Sequence, residues 1–135
     1  NSIVEDEYQT LWVGTVEGGL NCRLKGSDSF LHYTTETPAS LAHNTVSVLM
    51  LGDEDRLYVG TWGGGLGWIN RKPSASKRYM PVPLNDPFVS SLAFDPVSHL
   101  LWIGTMNNVY VYNQADGSIS EPFLNESKEL SIRMH

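Results

Sequence analysis

Residues 57–66 read Leu57-Tyr58-Val59-Gly60-Thr61-Trp62-Gly63-Gly64-Gly65-Leu66. The same pattern occurs upstream as Leu11-Trp12-Val13-Gly14-Thr15, followed by Val16-Glu17-Gly18-Gly19-Leu20. It returns downstream as Leu101-Trp102-Ile103-Gly104-Thr105, followed by Met106-Asn107-Asn108-Val109. Trp12 and Tyr58 are 46 residues apart, and Tyr58 and Trp102 are 44 apart. A period of about 40 to 50 residues is that of propeller blades. An apolar run precedes each copy: Val46-Ser47-Val48-Leu49-Met50-Leu51 before Asp53, Val89-Ser90-Ser91-Leu92-Ala93-Phe94 before Asp95, and a shorter Ile3-Val4 before Asp6. A last short run follows each copy, at 30–33, 78–82 and 119–124.

Each unit therefore predicts four short strands, A to D, in an antiparallel sheet. Strand A is the apolar run and strand B the Leu-aromatic-Val/Ile-Gly-Thr run. Strand C starts at Leu20, Leu66 or Val109, and strand D is the last short run. Gly18-Gly19 and Gly63-Gly64-Gly65 are expected to turn from B to C, because Gly adopts positive φ without strain. Asn107-Asn108 is expected to do the same in the third copy, since Asn tolerates the left-handed region. Strand A of the second and third copies is apolar at nearly every position, as expected of a strand covered on both faces. Gly14, Gly60 and Gly104 lie inside strand B, where Gly weakens a strand unless something must approach closely. Packing of one blade on the next supplies that reason. Trp12 and Trp102 share one repeat position and are expected in the core, and Trp68 is expected between blades.

The expected fold is thus all-β, a partial propeller of about three four-stranded blades. Blade one spans 1–44, blade two 45–87 and blade three 88–128, and a fourth blade begins at 129–135 with Leu130-Ser131-Ile132. Closed propellers use about four to eight blades. Three leave two apolar faces open, so a second copy completing a six-bladed ring is one expectation, and a cut from a larger propeller is the other.

The chain has 135 residues, 41% hydrophobic and 18% charged, a globular composition. Its formal net charge is −6, which argues against nucleic acid or an anionic membrane as partner. No apolar run approaches the length of a membrane span. The single cysteine, Cys22, allows neither an intrachain disulfide nor a cysteine zinc site.

Asp6, Leu11 to Thr15, Gly18 to Leu20, Phe30, Tyr33, Ser40-Leu41, Asn44 and Val46 follow the order Asp, Leu-Trp-Val-Gly-Thr, Gly-Gly-Leu, Phe-x-x-Tyr, Ser-Leu-x-x-Asn-x-Val. That order resembles the two-component regulator propeller repeat. The likeness runs through Trp62 to Leu66 in blade two and weakens in blade three, where Asn107-Asn108 replaces Gly-Gly. The resemblance implies the extracytoplasmic, periplasmic sensor region of a hybrid two-component system of the Bacteroides type. Such regions recognise carbohydrate breakdown products and are followed by an immunoglobulin-like domain, a membrane helix and a histidine kinase.

In a propeller the B–C turns and D–A loops share one face, where ligands usually sit. Here that face is expected to carry Glu17, Trp62, Met106, Asn107 and Asn108 from the turns, and His43, Asn44 and Asp86 from the loops. Trp62 is the sharpest candidate: exposed, it can stack on a sugar ring or a peptide, and the competing reading packs it on the neighbouring blade. His32, His43, His99 and His135 show no metal-ligand spacing. Asp53-Glu54-Asp55 lacks the Gly and distal Glu of a calcium loop. Neither a nucleophile elbow nor a phosphate loop is present. No catalytic residue, metal or cofactor is therefore expected. The leading expectation is a non-catalytic ligand-sensing module with an oligosaccharide ligand. The alternatives are a glycan-active propeller enzyme, which needs converging carboxylates, and a protein-interaction scaffold.

Overall fold

A computed structural model describes residues 2–122. It contains twelve strands: β1 (Ile3–Glu5), β2 (Leu11–Gly14), β3 (Leu20–Arg23), β4 (Leu31–Tyr33), β5 (Val46–Leu51), β6 (Arg56–Thr61), β7 (Leu66–Asn70), β8 (Met80–Pro81), β9 (Val89–Asp95), β10 (Leu100–Thr105), β11 (Val109–Asn113) and β12 (Ile119–Ser120). They form three four-stranded antiparallel sheets, each joining four consecutive strands in order. This is the expected all-β arc of three propeller blades. The start of a fourth blade at 129–135 and the end of the last run at 123–124 lie outside the described residues.

Register follows the repeat. Trp12 opposes Val4 and Cys22, Tyr58 opposes Met50 and Trp68, and Trp102 opposes Ala93 and Val111. Sheets touch one another through their first two strands, β1 and β2 against β5, then β5 and β6 against β9. The blades therefore fan outward from β1, β5 and β9. Two hydrophobic slabs fill the wedges. Trp12, Leu20 and Cys22 of blade one pack with Leu49, Leu57, Val59 and Ile69 of blade two. Tyr58 and Leu66 of blade two pack with Val89, Leu101, Ile103 and Tyr110 of blade three. Trp68 packs against this second slab, between blades as expected.

The glycines of strand B are explained at two positions. A Cβ on Gly14 would lie 2.5 Å from Val46 of blade two, and one on Gly60 would lie 2.8 Å from Val89 of blade three. Each admits the first strand of the following blade. Gly104 has only Ser90 and Ser91 of its own sheet before it.

Two expectations are corrected. Trp102 is not a core residue: it is 38% exposed, whereas Trp12 is fully buried. The following blade covers Trp12, and no blade follows Trp102 among the described residues. For the same reason β9 is not covered on both faces, and its Ser90, Ser91 and Ala93 are exposed. Secondly, Asn107 and Asn108 do not take positive φ, although Gly19, Gly63 and Gly65 do. The third turn is one residue shorter. Thr105 closes it by donating Oγ1–H to the Asn108 carbonyl at 2.9 Å and accepting the Asn108 amide at 3.0 Å. Thr15 and Thr61 donate in the same way to the Gly19 and Gly65 carbonyls, at 2.9 and 2.8 Å. The threonine ending each repeat is thus a turn clamp, a role its constancy signals in the sequence.

Candidate ligand rim

The B–C turns and D–A loops meet along one edge of the arc and are tied into a continuous rim. Thr45, just before β5, accepts the Glu17 amide on Oγ1 at 3.2 Å and the Trp62 amide on its carbonyl at 3.0 Å. Thr45 thereby joins the turns of blades one and two. Phe88, in the equivalent place before β9, forms a bridge with Trp62 and accepts the Met106 amide at 3.0 Å. Blades two and three are joined the same way. Gly63 and Gly65 also donate to the Pro87 carbonyl, at 2.8 and 2.9 Å.

Three apolar side chains occupy one repeat position on this rim, the residue after the clamp threonine. Val16 is 79% exposed, Trp62 38% and Met106 56%. The Trp62 ring leans on Phe88 with centroids 5.1 Å apart and planes tilted by 58°. One side of Trp62 thus packs on the next blade, and the rest faces solvent. An aromatic held in this way loses little rotamer freedom when a ligand stacks on it.

Polar groups flank the stripe. Glu17, Asn107 and Asn108 are exposed. Glu17 holds φ at 66°, the left-handed region, and its amide is held by Thr45. His43 is half-buried against Gly63, and its Nδ1 accepts the Thr45 amide at 3.0 Å. Asn44 accepts the Thr35 amide at 2.9 Å and holds the preceding loop. Asp86 is buried. Burial alone would raise its pKa, but hydrogen bonding, including the Phe88 amide donating to Oδ1 at 3.2 Å, holds it below the ordinary carboxylate range. Asp86 thus acts as an anionic strut under the third turn. Of the sequence candidates, Glu17, Trp62, Asn107 and Asn108 are brought to the exposed rim, with His43 and Asp86 just beneath. Thr45 and Phe88 were not singled out in the sequence; their equivalence one place before Val46 and Val89 is the signal that finds them.

The opposite edge is built for cohesion. The Arg71 guanidinium donates to both oxygens of Glu7, at 2.6 and 2.8 Å, linking blade two to blade one. Gln114 accepts the Tyr58 hydroxyl at 2.7 Å and donates to the Asp53 carbonyl at 2.7 Å, linking blade three to blade two. A cavity of about 330 Å³ lined by Asp53, Glu54, His99, Gln114 and Ala115 lies here. His99 bonds the Asp53 carboxylate across it.

No family model and no curated protein sequence matches this chain. Solved structures do. The extracellular domain of a proposed hybrid two-component system from B. thetaiotaomicron, BT4673, aligns at 26% identity with a TM-score of 0.75. A second structure of that domain, described there as part of a one-component system, gives 26% and 0.72. Each alignment covers 88% of this chain and 16% of the other. The extracellular domain of BT3049, another proposed hybrid two-component system of the same organism, gives 23% and 0.68, covering 87% and 16%, a likeness of fold. The chain thus spans about one sixth of the length of these structures, and it is similar to the extracytoplasmic domains of hybrid two-component systems, the group its repeat resembles.

Proposed function

We propose that this chain is a non-catalytic, ligand-sensing segment of a two-component sensor, and that the rim around Trp62 receives an oligosaccharide on the periplasmic side. The carrying observation is the rim itself: Trp62, fixed by Phe88, stands exposed in line with Val16 and Met106, with the polar groups of Glu17, Asn107 and Asn108 beside it. Saccharide sites pair an apolar platform with a few fixed polar groups. The glycan-active alternative needs paired carboxylates open to a substrate, and of its two candidate acids Glu17 is exposed whereas Asp86 is buried.

Titration of intrinsic fluorescence against a panel of oligosaccharides tests the reading. A saturable shift that disappears in Trp62→Ala is expected. A shift unchanged by that substitution, or turnover of any panel member, overturns it. The open faces of blades one and three are proposed to be covered by neighbouring blades. In a preparation of this chain alone a second copy is the source, read as a concentration-dependent dimer mass in light scattering. A monomer at every concentration rules that source out.

A further inference from the structure

The charges of this arc are segregated between its two edges. In blade one the cations are Arg23 and Lys25, at the end of strand C and in the C–D turn. In blade two Arg56 opens strand B, and Arg71, Lys72, Lys77 and Arg78 lie in the C–D connection. The A–B and C–D turns all lie at the edge opposite the rim. Among the described residues, neither the B–C turns nor the D–A loops contain a Lys or Arg. The rim instead carries Glu17 and Glu36 in the open and the Asp86 carboxylate beneath. Two of the cations on the far edge are also engaged: Arg71 holds Glu7, and Arg56 stacks on Trp68 at 4.1 Å and bonds the Tyr112 hydroxyl.

We infer that the rim selects an uncharged saccharide and rejects anionic ones, whether uronic acids or sulfated sugars. Recognition of a carboxylate or sulfate relies on Arg or Lys for charge-assisted hydrogen bonds. A rim whose acidic groups are not balanced by Lys or Arg repels such a ligand. The donors available, the Asn107 and Asn108 amides, suit hydroxyl groups, and the Val16, Trp62 and Met106 stripe suits the apolar face of a hexose. This inference rests on the saccharide reading above and narrows it to one charge class.

The test compares a neutral oligomer, galactotetraose, with its acidic counterpart, tetragalacturonate, by calorimetry at low and high salt. The neutral sugar should bind at least about tenfold more tightly at low salt, with the gap shrinking as salt screens the rim. Glu36→Lys, which turns one exposed rim carboxylate into a cation, should tighten the acidic sugar about tenfold and leave the neutral one nearly unchanged. Equal or tighter binding of tetragalacturonate by the unaltered protein overturns the inference while leaving the saccharide reading standing. Failure of both sugars and of every other neutral oligomer in the panel overturns both.

Discussion

The wedge between blades one and two and the wedge between blades two and three fill the same repeat positions with different chemistry. In the first, Trp12 is buried and its indole N–H donates to Asp6 at 2.9 Å; the same carboxylate accepts the Tyr8 and Thr10 amides. In the second, Tyr58 replaces the tryptophan and Gly52 replaces the aspartate. A Cβ at Gly52 would run into the Tyr58 ring, and the phenol reaches past it to Gln114 of the next blade. One wedge is satisfied within its own turn and the other across the blade boundary. A buried donor needs a partner, but the repeat leaves open which side provides it. In this chain Asp6 accompanies Trp12, and Gly52 accompanies Tyr58 and Gln114.

The largest expected effect separates the covered positions from the open one. Trp12→Ala and Tyr58→Ala should each destabilise by about 3 to 5 kcal/mol, because each empties a packed wedge. Trp102→Ala, at the uncovered face, should lose only about 1 kcal/mol. Denaturant unfolding of the three variants gives the ranking, and equal losses would mean that another blade covers Trp102. Next, Asp6→Ala orphans a buried indole N–H and should lose about 1 to 3 kcal/mol. Gly52→Asp places a side chain against Tyr58 and Gln114 and should destabilise by a similar amount, about 1 to 3 kcal/mol. If Gly52→Asp is instead rescued by Tyr58→Trp in the same molecule, the coupling is demonstrated directly by the double-mutant cycle.

Smaller effects sharpen the contrast. Tyr79 fills the first wedge with its hydroxyl buried and unpartnered, and burial holds its pKa far above that of a free phenol. Tyr79→Phe should be neutral or stabilise by up to about 1 kcal/mol, seen as a raised Tm. The Glu7–Arg71 pair should be worth about 0.5 kcal/mol, since Glu7 is half exposed. The hydrogen bond from Arg71 lowers the Glu7 pKa in the folded chain. Its stabilisation is therefore present above the unfolded Glu value of about 4.3 and lost as pH falls through the lower folded value. Stability curves of the parent and Glu7→Gln should converge at that acid end and separate above it.

The repeat alone makes the chain's architecture legible. A 46- and 44-residue period, strand-length apolar runs and Gly-rich turns are local properties, so all twelve strands and the direction of each turn follow from neighbours in sequence. The rim residues were legible for the same reason, since turn position follows from strand order. What stayed hidden depends on residues far apart in the chain. Trp12 and Trp102 have the same local sequence, yet one is sealed and the other open, because burial of a blade face is set by the blade that follows. Asp86 reads as an exposed loop acid, but the blade-three turn folds over it and makes it a buried strut. Phe88, one place before β9, takes its role only from Trp62 of the preceding blade, which leans on it. The sequence by itself determined the blades, their order and where each turn falls, because backbone pairing is decided within each repeat. Tertiary structure decided which aromatics are covered and which carboxylate is buried, because each of these arises where one blade meets the next.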